Sequence, residues 1–171
     1  PADDVTVASL GFRVAAQQDA GHVRLEHREA TWYESTFWQG GEQWLRVGKD
    51  WYPQRLGATS VRRFLVPDDG SVTVTGPVRK AHLAGDGVRA TILHNDRTVW
   101  QHELEGDDGQ GRDPNLVLTV QRGDTLRFVV DKRGSISCDT TYWDPVITYV
   151  DGQRFQASEA FAAKKQGAGG W

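Results

Sequence analysis

"VRATILHNDRTVWQHEL", from Val88 to Leu104, decides the fold class of this chain. Val88, Ala90 and Ile92 alternate with Arg89 and Thr91, the period at which successive side chains point to opposite faces of a sheet. The alternation runs into Asn95-Asp96, two residues that tolerate positive φ, and out again through "RTVWQHEL". This reads as a β-hairpin. Working outward, "VTVA", "HVRLEH", "SVRRFLV", "SVTVT", "NLVLTV", "TLRFVV" and "VITYV" are further short stretches rich in β-branched residues. Turn chemistry separates them: "PDDG", "GDDGQG", "QRGD", "KRG" and "VDGQ". Strand signals at intervals of about 8–12 residues with no helical stripe predict an all-β sandwich or barrel.

Within these strands, Val72 and Val74 share one face, and Leu126, Phe128 and Val130 share another. Adjacent Arg62 and Arg63 must point to opposite faces, and an inward arginine calls for a carboxylate partner. "SEAFAAKKQ" is the one helix-like segment, next to the glycine-rich "QGAGG".

The chain has 171 residues, enough to close one sizeable core. A formal net charge of −3 argues against nucleic acid, which needs a basic face. No apolar run approaches the ~20 residues of a membrane span. The sequence starts at Pro1 and contains no methionine, so it is expected to be an excised or processed piece of a longer protein. The single Cys138 excludes an internal disulfide and is expected as a small buried hydrophobe.

Ser9, Phe12, Gln17 and Gly21 share the spacing S-x2-F-x4-Q-x3-G with Ser158, Phe161, Gln166 and Gly170, at an offset of 149 residues. Residues 1–157 are therefore expected to form one β-sandwich module, and 158–171 a linker or the start of a following module.

The motifs of common enzyme classes are missing: no G-x-S-x-G, H-E-x-x-H, G-x-x-x-x-G-K or G-x-G-x-x-G occurs in the right context. The five histidines are scattered and expected at the surface. Acidic residues fall mostly in turns. Glu105, Asp107, Asp108 and Asp113 in "EGDDGQGRD" are oxygen donors of the kind calcium uses, without EF-hand spacing. A structural calcium is the one cofactor considered. Asp139, Thr140 and Thr141 are expected to satisfy backbone groups at a loop-to-strand junction. No catalytic residue is assigned.

Three segments carry a family resemblance: "WYP...SVRRFLVPDDGSVTVTGPVRK", "GDGVRATILHNDRTVWQHEL" and "VQRGDTLRFVVDKRGSISCDTTYWDPVITY". In this order they resemble accessory galactose-binding-like modules of large secreted bacterial enzymes that degrade polysaccharides. The resemblance spans about 100 residues, and "DTTYWDPVI" is its most specific part. Where relatives often read H-P-G, this chain has Tyr52-Pro53-Gln54. The resemblance implies a two-sheet antiparallel jelly-roll β-sandwich and association with carbohydrate. It also implies a covalently linked glycoside hydrolase or polysaccharide lyase domain, in a secreted, periplasmic or cell-surface protein.

Four of the seven tryptophans lie between Trp32 and Trp51, in a stretch broken by Gly40, Gly41 and Gly48. Rings in glycine-punctuated, polar sequence suit a loop surface. A pyranose presents an apolar C–H face to such rings and hydroxyls to charged or amide side chains. Trp32, Tyr33, Trp38, Trp51 and Tyr52 are therefore the candidate carbohydrate-binding rings, with half of them expected to be buried. Arg46, Glu34, Gln39, Arg62 and Arg63 are rim partners, Arg63 being the candidate binding cation. Trp44, Trp100 and Trp143 are expected in the core. These residues predict a non-catalytic carbohydrate-binding module. The alternatives are a spacer or docking module that binds no sugar, and a β-sandwich hydrolase or lyase.

Overall fold

The structure, a computed structural model, describes residues 24–40, 45–53, 59–162 and 164–171. Trp44, Gln54, His22 and the first copy of the S-x2-F-x4-Q-x3-G spacing lie outside the described residues.

The chain is an antiparallel β-sandwich. Its first layer is a four-stranded sheet of β5 (Ser60–Leu65), β8 (Val88–His94), β9 (Arg97–Leu104) and β11 (Thr125–Lys132), in the order β5-β11-β8-β9. The opening hairpin is β8–β9, with His94 opposite Arg97 and Asn95 at φ 54°. A bulge lies between Ile92 and Leu93, where Ile92 pairs with Trp100 but Leu93 with Thr98. The extra residue shifts the alternation of β9.

The second layer combines two sheets. One contains β6 (Gly70–Thr75), β10 (Leu116–Val120), β13 (Val146–Tyr149) and β14 (Arg154–Gln156), ordered β10-β6-β13-β14. The other contains β4 (Trp51–Tyr52), β7 (Val78–Lys80) and β12 (Thr141–Trp143), ordered β4-β12-β7. Gly76-Pro77 separates β6 from β7, and Asp144-Pro145 separates β12 from β13. Both prolines lack the N–H a ladder needs, so the two paired strands break side by side. Gly76 sits at φ 109°, and a Cβ there would lie 2.4 Å from the Asp144 carbonyl. A fourth sheet, β1 (Glu26–Trp32), β2 (Ser35–Gln39) and β3 (Arg46–Gly48), precedes the sandwich.

The alternation expected from sequence sets the core. Val72, Val74, Leu126, Phe128, Val130, Ala90 and Ile92 are buried together with Phe64, Trp143 and Ile147. Trp100 is half-buried and packs on that core. Arg62 points inward, but its partners are backbone carbonyls rather than a carboxylate. It donates to Lys49 O (3.0 Å) and Gly48 O (2.5 Å), tying the β3–β4 corner to β5. The buried carboxylate is elsewhere: Asp139 Oδ1 lies 3.2 Å from Lys80 Nζ, both side chains being fully buried. Lys80 also donates to Cys138 O at 2.7 Å. That inward carbonyl belongs to a residue at φ 62°, which leaves the Cys138 thiol exposed rather than buried. Thr141 donates from Oγ1 to Asp139 O, the backbone role expected of it.

Three of the four acidic side chains in the "EGDDGQGRD" loop bond to the protein itself. Asp108 accepts from Gly111 N, Asp113 from Gly76 N and Asn115 N, and Glu105 pairs with Arg133. Among the described residues no group of three or more His, Cys, Asp or Glu is placed to hold a metal.

The helix-like segment forms one short helix, α1 (Ala157–Phe161). Its first turn is capped from outside by Asp144, which accepts from Ser158 N (2.9 Å) and Ser158 Oγ (2.6 Å). The segment expected as linker or module start lies against the sandwich. Trp171 stacks at 5.0 Å on Phe64 and 5.5 Å on Phe128, Lys164 pairs with Glu29, and Gln166 donates to Leu25 O.

Candidate functional site

β1 and β2 are joined by Tyr33-Glu34 alone, with Trp32 opposite Ser35. Both turn residues are left-handed, Tyr33 at φ 45° and Glu34 at φ 63°. Such turns ordinarily use Asn-Gly, because a Cβ at positive φ is strained. Two non-glycine residues here hold an aromatic ring at the tip of the hairpin, and strain of this kind concentrates where function requires it.

The tip rests on Trp51. This ring is fully buried, donates from Nε1 to Ser35 Oγ at 2.9 Å, and meets Trp32 edge-on at 5.1 Å and Tyr33 at 5.6 Å. Gly48 makes room for it, since a Cβ there would fall 1.9 Å from Trp51 Cε2. Beside the tip, Tyr33 Oη and His82 Nε2 are 2.9 Å apart in a hydrogen bond.

The facing wall comes from β12. Thr141 and Trp143 are buried, so Tyr142 between them points outward. Its ring stands 6.3 Å from that of Tyr33 at 89°. Tyr142 pairs across the ladder with Arg79 on β7, whose guanidinium sits 4.6 Å over the Tyr142 ring. On the other flank, the Arg46 guanidinium lies 5.0 Å from the Trp32 ring and 4.5 Å from Phe37. Burial raises the pKa of Tyr142, and Asp50 and Tyr33 add to it against the opposing Arg79 charge. The phenol therefore stays protonated at neutral pH and is available as a hydrogen-bond donor.

Trp32, Tyr33 and Tyr142 are half-buried, and Glu34, Arg79 and His82 are exposed. The result is a corner of apolar ring surface edged by two cations, an acid and an imidazole. Such a surface covers an apolar face and hydrogen-bonds the polar rim around it.

Only part of the sequence-derived set meets here. Trp32 and Tyr33 form the corner, and Trp51 is its buried floor. Tyr52 is fully buried under Arg62, 5.1 Å away, and burial pushes its phenol up to about 12. A ring with no exposed face cannot stack on a ligand, and Trp51 and Tyr52 are both fully buried. Trp38 projects from the opposite face of β2 to Phe37, against His27 at 5.2 Å. Arg63 lies on the outer face of the first layer, opposite Arg127. Tyr142, Arg79 and His82 were not among the candidates. The alternation in "TYW" signals an outward Tyr142, but its meeting with Tyr33 depends on a register between distant strands.

No protein-family model matches the chain, and no curated protein matches it. Among solved structures the chain is similar to one described as a family 35 carbohydrate binding module from an environmental isolate. The identity is 14%, the TM-score 0.40, and the match covers 74% of this chain and 82% of that one. Two β-sandwiches reach that level of overlay without sharing a ligand face.

Proposed function

We propose that this chain is a non-catalytic carbohydrate-binding module whose ligand sits in the Trp32–Tyr33–Tyr142 corner. The observation that carries the reading is the Tyr33-Glu34 turn. Two residues are held in a strained conformation that places a tyrosine ring against Tyr142, with Arg79 and His82 at its edge. Stable packing alone would be served better by Asn-Gly at these positions. The ring supplies apolar area, while guanidinium, imidazole and phenol supply hydroxyl partners. We further propose, from the family resemblance, that the module belongs to a secreted polysaccharide-degrading protein and directs an attached catalytic domain to its substrate.

Affinity electrophoresis on a panel of plant, algal and microbial polysaccharides tests this. The chain should be retarded by at least one of them. Tyr33→Ala and Tyr142→Ala should each weaken that retardation about tenfold, the equivalent of about 1.4 kcal/mol, within the range of a lost ring contact plus its area. No retardation on any polysaccharide would sink the proposal.

The spacer reading is favoured by the burial of Trp51 and Tyr52. It requires Trp32 and Trp38 to be buried as well, and both are half-buried.

A further inference from the structure

We infer that the corner takes one sugar unit at a time, a chain end or a branch, and grips neither the length of a chain nor a crystalline face. The inference rests on the carbohydrate reading above and deepens it.

The ring planes carry the argument. Tyr33 is tilted 53° from Trp32, 47° from His82 and 89° from Tyr142. Trp51, the ring that would extend the patch, stands 80° from Trp32 and is fully buried. In each of these contacting pairs the two rings lie far out of a common plane. A crystalline polysaccharide presents a face that is flat across many sugars, so rings that grip it must be coplanar and laid out in a row. An extended single chain likewise needs ring after ring along its axis. Here the half-buried rings are packed against one another, with Tyr33 and Trp32 centroids only 4.8 Å apart and Tyr33 and Tyr142 6.3 Å apart. That spacing is one of mutual contact, so a ligand meets the rings from outside as one small patch rather than as a series of platforms.

The charges narrow the corner further. The guanidinium of Arg79 already covers one face of Tyr142, and that of Arg46 one face of Trp32. Each ring therefore offers a ligand little more than its remaining face and edge. The polar groups, Arg79, His82 and the Tyr142 hydroxyl, stand at the same spot as the rings and do not trail away from it. Recognition built this way is rich in directed hydrogen bonds over a small footprint. It saturates with the first sugar unit, and further units in the chain add no contact.

The test uses the intact chain and two probes. The first is pull-down on microcrystalline cellulose and on crystalline chitin. The second is an array of linear cello-, xylo-, manno-, malto- and chito-oligosaccharides from one to six units, together with branched galactomannan and arabinoxylan oligosaccharides. No depletion onto either crystalline solid is expected. In a responding linear series, affinity should change less than threefold between two and six units, which identifies the chain end. Response confined to branched members identifies the branch, and also supports the inference. A rise of tenfold or more from two to six units, or retention on a crystalline solid, would overturn it. If sugars bind with that dependence on length, the carbohydrate reading survives and only this inference falls. If no glycan binds at all, both fall. Tyr33→Ala and Tyr142→Ala, checked for an unchanged circular dichroism spectrum, should each weaken the array signal about tenfold. A signal untouched by either would place binding outside the corner and overturn the inference.

Discussion

Replacing Trp171 with alanine should destabilise the chain substantially, although the residue ends a segment whose composition reads as linker. Its ring stacks on Phe64 and Phe128, both fully buried members of the core. Truncating a fully buried aromatic costs about 3–5 kcal/mol. Trp171 is only partly buried, which places its contribution at the lower end. Its Nε1 is buried and has no hydrogen-bond partner among the described residues, so removing it recovers about 1 kcal/mol of desolvation. The net loss is about 2 kcal/mol. For a domain of this size that corresponds to a drop of roughly 4–8 °C in melting temperature. Gly170→Ala should move in the same direction without touching the tryptophan. The glycine is at φ 86°, and a Cβ would lie 2.7 Å from Phe64 Cε2. Deleting everything after Ser158 also removes Phe161 and uncovers Phe64, so its drop should be larger, about 10 °C. Thermal melts followed by circular dichroism on the three variants decide the matter. If the truncated chain melts within about 3 °C of the parent, the tail contacts contribute nothing. Residues 158–171 would then fit the expectation of a linker or the opening of a following module.

Three further outcomes are expected. Glu34→Gly should raise the melting temperature by about 1–3 °C, since glycine at φ 63° relieves strain of about 0.5–1 kcal/mol at an exposed position, and no rise would mean that the turn is unstrained. Lys80→Met should cost about 3–5 kcal/mol in urea denaturation because it strands the Asp139 carboxylate in the core, while Lys80→Met combined with Asp139→Leu should recover much of that; equal losses in both variants would show that the pair itself is not the source. Asp124 should contribute to acid sensitivity. Burial alone would raise its pKa, but hydrogen bonds from Asn95, Gln121 N and His94 outweigh burial and hold it below the usual carboxylate value. A folded pKa below the unfolded one gives stability that is present above the unfolded value and lost as pH falls through the folded one, so Asp124→Asn should flatten the decline in melting temperature below about pH 4. A decline as steep as the parent's would remove Asp124 from the account.

Where one face of a strand is buried, the pattern is legible in the sequence to the residue. Val72 and Val74, and Leu126, Phe128 and Val130, alternate because one pleat face meets the core and the other meets water, and no distant information is needed to see it. The limits of that reading are equally physical. Nothing local in "RTVWQHEL" marks the bulge between Ile92 and Leu93, because a bulge is a property of the pairing and not of one strand. Arg62 was expected to need a carboxylate, yet the bent backbone at Gly48 and Lys49 offers carbonyls that serve a guanidinium as well. Cys138 was expected inside because thiols usually are, but its left-handed φ turns the carbonyl to Lys80 and the side chain to solvent.

The candidate site divides along the same line. Of the rings in the glycine-broken, polar stretch, Trp32 and Tyr33 meet at the corner proposed as the site. Which rings stay accessible was decided by Gly48, whose missing side chain lets Trp51 sink beneath the hairpin. Glycine, read from sequence as loop punctuation, is here the socket for a buried ring. The other wall was hidden by separation along the chain. Tyr33 reaches Tyr142 only because β12 pairs with both β4 and β7, so that Trp51, Tyr142 and Arg79 fall in one row across three strands. That row consists of outward residues, flanked by the buried row of Tyr52, Thr141 and Lys80. The hairpin tip covers one end of the outward row, burying Trp51 and leaving Tyr142 and Arg79 half or wholly open. The corner is thus the uncovered end of a row whose other end the hairpin closes, and the strained Tyr33-Glu34 turn sets where the cover stops.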